Sequence, residues 1–180
     1  MKAYLTTIGE KTTGICKEQL EKYGFDVIII DGKEKWVDKY KRFIQIAETP
    51  CIRIDADTIP NKNIKKILTE DFSGVMLAYF KGYDFYKNDI GNISPCYYSK
   101  ECIDIIRINL DKLDNNRPET SMSRLSEINP YMKGYDWIVG MHGFFQDYEM
   151  VLRAKHTKVQ RKQLDECDFE LVDKIYKLNT

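Results

Sequence analysis

An α/β fold is what this 180-residue sequence predicts, on three observations. Short apolar runs alternate with helix-spaced apolar patterns through roughly the first hundred residues. The run Asp26-Val27-Ile28-Ile29-Ile30-Asp31-Gly32 is β-branched, nearly continuous and closed by a turn residue, as expected of a strand covered on both faces. The length suits one substantial core, and 43% hydrophobic with 31% charged residues is ordinary for a single globular domain.

Taken in order, Lys2 to Ile8 reads as a strand and Thr13 to Tyr23 as a helix with Cys16, Leu20 and Tyr23 on its inner face. The Asp26 to Gly32 strand follows. Trp36, Tyr40, Phe43, Ile44 and Ala47 then recur at helical spacing until Thr49-Pro50 stops the helix, because the residue before a proline avoids helical backbone. Cys51-Ile52-Arg53-Ile54 reads as the next strand, which completes two β-α-β units. Beyond it the sequence predicts a helix bearing Ile64, Ile67 and Leu68, a strand at Gly74 to Phe80, and an irregular aromatic stretch from Gly82 to Tyr98. A helix with Cys102, Ile106, Leu110 and Leu113 on one face comes next. Pro118-Glu119-Thr120 reads as the first turn of another helix carrying Met122 and Leu125, a position where proline is well tolerated. Tyr135 to Met141 reads as a strand, and Phe145, Tyr148 and Leu152 open a long C-terminal helix. The domain is placed at residues 1–164, with 165–180 as an acidic C-terminal tail or helix.

Net charge excludes a global field for nucleic acid, since 28 basic side chains cancel 28 acidic ones. The balance hides a local polarity: Arg153, Lys155, Lys158, Arg161 and Lys162 precede Asp165, Glu166, Asp168, Glu170 and Asp173. Such a basic run is by default a solvated helix face, and otherwise a contact for acidic lipid, a phosphorylated acceptor or nucleic acid. His156 within it reads as a surface residue. Five cysteines with no C-x-x-C pair signal neither a zinc site nor a disulfide framework, so reduced thiols are expected. No apolar run approaches the ~20 residues of a membrane span, and Met1-Lys2 leads straight into the first strand. A soluble, cytoplasmic protein is expected.

Asp55-Ala56-Asp57 follows the third strand, at the carboxyl end where open α/β sheets bind ligands. The tripeptide alone carries little weight, because 16 aspartates in the chain produce roughly one or two such spacings by chance. Taken alone it reads equally as a solvated turn or a helix cap. Its setting says more: an apolar strand precedes it, Pro60-Asn61 follows as a turn, and a helix comes next. Two carboxylates on a strand end make a hard oxygen site suited to Mg2+ or Mn2+, with positions left for phosphate oxygens. His142 lies near the predicted end of the last strand, between Gly140 and Gly143, as a candidate third ligand. Those glycines would let the backbone approach a diphosphate.

From Lys2 to Leu68 the chain resembles the nucleotide-binding half of a family 2-like GT-A glycosyltransferase. The matching features run in order: a first strand ending in the small polar residues Thr6-Thr7, a second ending at Ile30-Asp31-Gly32, and Asp-x-Asp after a helix. The resemblance implies a single-domain, Rossmann-like nucleotide-diphospho-sugar transferase fold, a mixed sheet flanked by helices. It also implies a nucleoside-diphosphate sugar as donor, UDP-sugar favoured, and a metal ion at Asp55, Asp57 and His142. By position Thr6 and Asp31 inherit contacts to nucleobase and ribose, and Asp55 contacts the metal directly or through ribose and water. A basic residue of the intervening helix, Lys39, Lys41 or Arg42, inherits a donor contact. Thr6-Thr7 stands where the family usually has a proline-containing loop, and the helix lacks the usual Ala-Arg-Asn.

The second half resembles the family more loosely, through Arg117-Pro118-Glu119-Thr120. In inverting members an acidic helix start supplies the base, which makes Glu119 the leading base candidate and Asp136 the fallback. Glu119 also suits a plain helix start, where a carboxylate complements the dipole. Tyr79, Phe80, Tyr83, Phe85, Tyr86, Tyr97 and Tyr98 serve as walls for a sugar or acceptor, or as core. The acceptor is left open among glycan, lipid-linked and nucleic-acid classes. With so little chain for it, a compact acceptor site or a partner subunit, as in a homo-oligomer, is expected. A nucleotidyltransferase and a non-catalytic nucleotide- or glycan-binding module are the alternatives, although the glycine-rich loop with a following basic residue that marks the former is missing at Thr7-Ile8-Gly9-Glu10-Lys11.

Overall fold

The computed structural model describes residues 1–85 and 89–143. The predicted C-terminal helix, the basic and acidic runs, His156, Tyr86 and the boundary at residue 164 lie outside the described residues. The elements are β1 (Lys2–Thr6), α1 (Thr13–Lys22), β2 (Asp26–Ile30), α2 (Trp36–Ile46), β3 (Cys51–Asp55) and β4 (Thr58–Pro60). After a 3-10 helix at Lys62–Leu68 come β5 (Leu77–Asp84), β6 (Asp89–Tyr98), α3 (Lys100–Ile108), α4 (Pro118–Ser123) and β7 (Met132–His142).

These strands form one mixed sheet in the order β2-β1-β3-β6-β5-β7-β4. β1 pairs in parallel with both β2 and β3, so that Thr6 sits level with Ile30 and Asp55. β6 runs antiparallel to β3 and β5, while β7 runs parallel to β5 with Asp84 opposite His142. Strands β1, β2, β3, β5 and β7 therefore end at one edge, which gathers Thr6, Asp55, Asp84 and His142. Only Ala56 and Asp57 separate β3 from β4, yet the two strands lie four steps apart in the sheet. Three Cα steps span at most about 11 Å, whereas four steps across a flat sheet amount to about 19 Å. The sheet has to curl.

Alternation along β1 divides the core. Tyr4 faces α2 and α3 with Tyr40, Phe43, Ile44, Tyr98, Cys102 and Ile106. Ala3 and Leu5 face α1 and the 3-10 helix with Cys16, Leu20, Ile52, Ile54, Ile64 and Ile67. Phe43 anchors the first layer, its ring 5.2 to 5.8 Å from those of Tyr4, Tyr40 and Tyr98. Local chemistry sets the boundaries. Ser99 caps α3 by accepting from the Cys102 amide at 3.2 Å, and Pro118 opens α4. Among the described residues no helix is long and apolar enough to cross a membrane. Cys16, Cys51, Cys96 and Cys102 are buried free thiols.

Several expectations need correction. β2 is an edge strand rather than one covered on both sides: Asp26 is exposed and Ile29 is 42% exposed, because β1 takes the inner place. The stretch expected to be irregular from Gly82 to Tyr98 holds the end of β5 and all of β6. Its Pro95, unusual inside a sheet, is tolerated because Cys96 and Ile93 oppose the consecutive residues Tyr79 and Phe80, so that Ser94 and Pro95 bulge out of the ladder. Thr58–Pro60, for which no strand was expected ahead of the Pro60-Asn61 turn, is a strand, because β7 supplies the partner. The segment bearing Ile64 and Ile67 is a 3-10 helix, not an α-helix.

Gly140 is where β7 meets β4 most closely. A Cβ there would lie 2.6 Å from the Ile59 carbonyl oxygen and 3.1 Å from Pro60 Cα, both backbone atoms. Gly140→Ala is expected to lower stability by about 1–3 kcal/mol through this overlap. Gly91→Ala, whose added methyl meets open space, is expected to stay within about 1 kcal/mol of the unaltered protein in the same urea unfolding series.

Candidate functional site

Asp55 and Asp57 flank the fully buried Ala56, so the central residue points inward while both carboxylates turn toward the edge. The backbone of the tripeptide is tethered on every side. The Asp55 amide donates to Ser94 Oγ at 2.6 Å, and the Ala56 amide donates to the Thr6 carbonyl at 2.9 Å. The Ala56 carbonyl accepts from Thr12 Oγ1 at 2.6 Å, and the Asp57 carbonyl accepts from the Gly143 amide at 2.8 Å. Ser94 escaped the sequence reading. The signal for it was Ser-Pro within a β-compatible run, since a proline there implies a bulge.

The two carboxylates have different partners. Asp55 Oδ1 accepts from Thr6 Oγ1 at 2.7 Å and from Arg53 Nη1. Arg53, only 3% exposed, reaches Glu119 with its other arm, Nη2 lying 3.6 Å from Glu119 Oε1. Trp36 Nε1 lies 3.0 Å from both Glu119 oxygens, and the Arg53 guanidinium lies 4.8 Å from the centre of the Trp36 ring. Burial opposes the charge on Arg53, but Asp55 and Glu119 outweigh it and hold the group protonated. Glu119 is thus brought beside Asp55 through Arg53, although 64 positions separate the two acids.

Asp57 instead faces His142, with Oδ2 3.1 Å from Nε2, while Nδ1 of the same ring lies 3.4 Å from Asp84 Oδ1. The pairing of Thr58 with His142 across β4 and β7 produces this contact. Gly140 gives its space to Ile59 and Pro60, and the Gly143 amide is spent on Asp57. Among the described residues no group of three His, Cys, Asp or Glu side chains could hold a metal ion. The Asp57–His142 separation is that of a hydrogen-bonded ion pair, and the imidazole would have to give up its Nε2 proton to ligate a metal beside Asp57. Asp84 then stands where an outer carboxylate orients a ligating imidazole. Asp57 and His142 are the residues that could hold a divalent ion, which would take its remaining ligands from phosphate and water.

The basic residues of α2 serve the neighbouring loops. Buried Lys39 donates from Nζ to the Thr7 and Gly32 carbonyls at 2.5 Å each, and burial lowers its pKa. Arg42 donates to the Asp31 carbonyl and pairs with Glu34 at 3.0 Å. Asp31 is exposed at the turn beyond β2, and Lys41 is partly exposed on α2. Thr6 is buried against Asp55. In the β1–α1 loop Glu10 Oε2 accepts from Thr7 Oγ1 at 2.5 Å and from the Ile8 amide at 2.7 Å. Asp136 is not brought to this edge. It lies exposed in a bulge of β7, six residues before His142, or about 20 Å back along the strand. Of the aromatic residues, Phe80, Tyr97 and Tyr98 are core, while Tyr83 and Phe85 pack edge to face 4.8 Å apart.

A curled mixed sheet flanked by helices, with most strands ending at one edge, is a Rossmann-like architecture. Three solved structures share it. They are A197 from STIV (TM-score 0.55, 10% identity, 76% of this chain and 82% of that one) and the 4-diphosphocytidyl-2C-methyl-D-erythritol synthase of Anaerococcus prevotii DSM 20548 (0.51, 10%, 86% and 94%). The third, from Bacillus anthracis, is described as a glucose-1-phosphate thymidylyltransferase and was solved with sucrose (0.52, 8%, 92% and 96%). No protein-family profile and no curated protein sequence matches the chain. At such identities the likeness establishes the fold.

Burial opposes a charged His142, but the charges and hydrogen bonds of Asp57 and Asp84 prevail and raise its pKa to about 10. A raised pKa stabilises the fold fully below the ordinary value near 6.5, and that contribution is lost as pH rises through about 10. In a chelating buffer the metal-free protein is therefore expected to lose thermal stability between about pH 7 and pH 10. His142→Gln is expected to flatten that slope in the same melting series.

Proposed function

We propose that this protein is a metal-dependent glycosyltransferase acting on a nucleoside-diphosphate sugar, with Asp57 and His142 as the metal ligands. The observation that carries this reading is the Asp57–His142 pair, 3.1 Å apart at the edge where the parallel strands end, with Asp84 behind the imidazole. A divalent ion held there would neutralise charge on the departing nucleoside diphosphate. Asp55 takes a different part. With Oδ1 engaged by Thr6 and by the cation of Arg53, it is unsuited to a second positive charge and suits a hydroxyl donor such as ribose. Glu119, partly exposed beside it, is the carboxylate that takes the acceptor's proton as the acceptor oxygen bonds to the anomeric carbon. The bond from that carbon to the phosphate oxygen breaks, and its electron pair leaves with the nucleoside diphosphate.

The named fold neighbours favour a second reading, a nucleotidyltransferase joining a nucleotide to a sugar phosphate. The β1–α1 loop argues against it. Backbone amides of such loops serve phosphates, and here Glu10 takes the Ile8 amide and sets a negative charge in the same place. Donor, acceptor and the choice between a compact acceptor site and a partner subunit follow the sequence reading, with UDP-sugar the first donor to try and the interior of a cell the expected setting.

Calorimetric titration of UDP and other nucleoside diphosphates, with and without Mn2+, tests the reading. Binding is expected to require the metal and to weaken by about 10-fold or more in Asp57→Ala and His142→Ala, and by about 10-fold in Asp84→Asn. Slow release of UDP from a UDP-sugar supports sugar transfer. Release of pyrophosphate from a nucleoside triphosphate and a sugar phosphate would establish the second reading instead.

A further inference from the structure

Arg53 is the one charged residue of β3 before the Asp-x-Asp turn, among Cys51, Ile52 and Ile54, all of them buried. An apolar side chain would fill such a strand position at less desolvation, so a guanidinium there calls for an explanation beyond stability. Its surroundings supply one. One arm meets Asp55 at the oxygen that Thr6 also engages, with Arg53 Nη1 itself 3.4 Å from Thr6 Oγ1, and the other meets Glu119, which accepts from Trp36, whose ring lies 4.8 Å from the guanidinium. The chain Thr6–Asp55–Arg53–Glu119–Trp36 thus joins β1, β3, α2 and α4 at the edge of the sheet.

We propose that Arg53 is a positioning residue that sets the donor-side carboxylate Asp55 and the acceptor-side carboxylate Glu119 at a fixed separation. The proposal rests on the sugar-transfer reading. The planar, two-armed guanidinium is the necessary feature, because a lysine ammonium is a point charge at the end of a flexible stem and cannot hold both acids at once. In this role Arg53 acts through the two acids.

Two double-mutant cycles on the full chain test this, after manganese-dependent UDP binding has been established for the unaltered protein. Arg53→Lys is combined with Asp55→Asn and read in donor KM, then combined with Glu119→Gln and read in kcat. Arg53→Lys alone is expected to raise KM and lower kcat, each by about 10-fold. On that background Asp55→Asn and Glu119→Gln are expected to add less than about 3-fold, far below their effects alone, because the interaction they remove is already gone. Effects that multiply in both cycles while UDP binding persists would overturn the role of Arg53 and leave sugar transfer standing. Absence of nucleotide binding by the unaltered, folded protein would overturn the sugar-transfer reading and this role with it. Arg53→Gln, a planar but neutral donor, replaces Arg53→Lys in both cycles if the lysine variant does not fold, with the same two outcomes deciding.

Discussion

The two-residue link between β3 and β4 is the constraint on which the rest of the structure depends. Strands four places apart cannot be joined by Ala56 and Asp57 in a flat sheet, so the sheet curls until its far edge returns to its middle. That return pairs Thr58 with His142 and leaves the imidazole against Asp57. The curl also explains Gly140, whose missing side chain admits the backbone of Ile59 and Pro60. The candidate metal pair is therefore a by-product of closure, fixed by strand register and not by a mobile loop.

Charge is distributed around that edge with a division of labour. Buried Arg53 lies under Asp55 and Glu119, while buried Lys39 ties the β1–α1 loop to the β2–α2 turn through two carbonyls. Both cations are paired within the fold, Arg53 through its two Nη arms while its buried Nε has no hydrogen-bond partner, and they hold the acidic groups and the loop backbone in place. Asp57, Asp84 and His142 form a separate group, an imidazole set between two carboxylates.

Much of the fold was legible because it is written in short range. The 3.6-residue spacing of Trp36, Tyr40, Phe43 and Ile44 marks α2, Thr49-Pro50 ends it, and Pro118 marks the start of α4. The apolar runs of β1, β2 and β3 stand out for the same reason, and Asp55 at the carboxyl end of β3 follows from them. Less legible were β6, whose Gly91, Asn92 and Pro95 mask a strand, and β4, three residues with no pattern of their own. Each is held by partners distant in sequence, β6 by β3 and β5, and β4 by β7.

The sequence by itself determined the class of the fold, the order of its principal elements and the identity of most of the acids and bases at the edge. Those follow from side-chain periodicity and turn chemistry, which act over a few residues. Only the tertiary structure decided how these groups divide: Asp55 with Thr6, Arg53 and Glu119, Asp57 with His142 and Asp84, Ser94 beneath the turn, and Asp136 far from all of them. Strand order and register determine those pairings, through hydrogen bonds between residues tens of positions apart, and no local pattern in the chain encodes them.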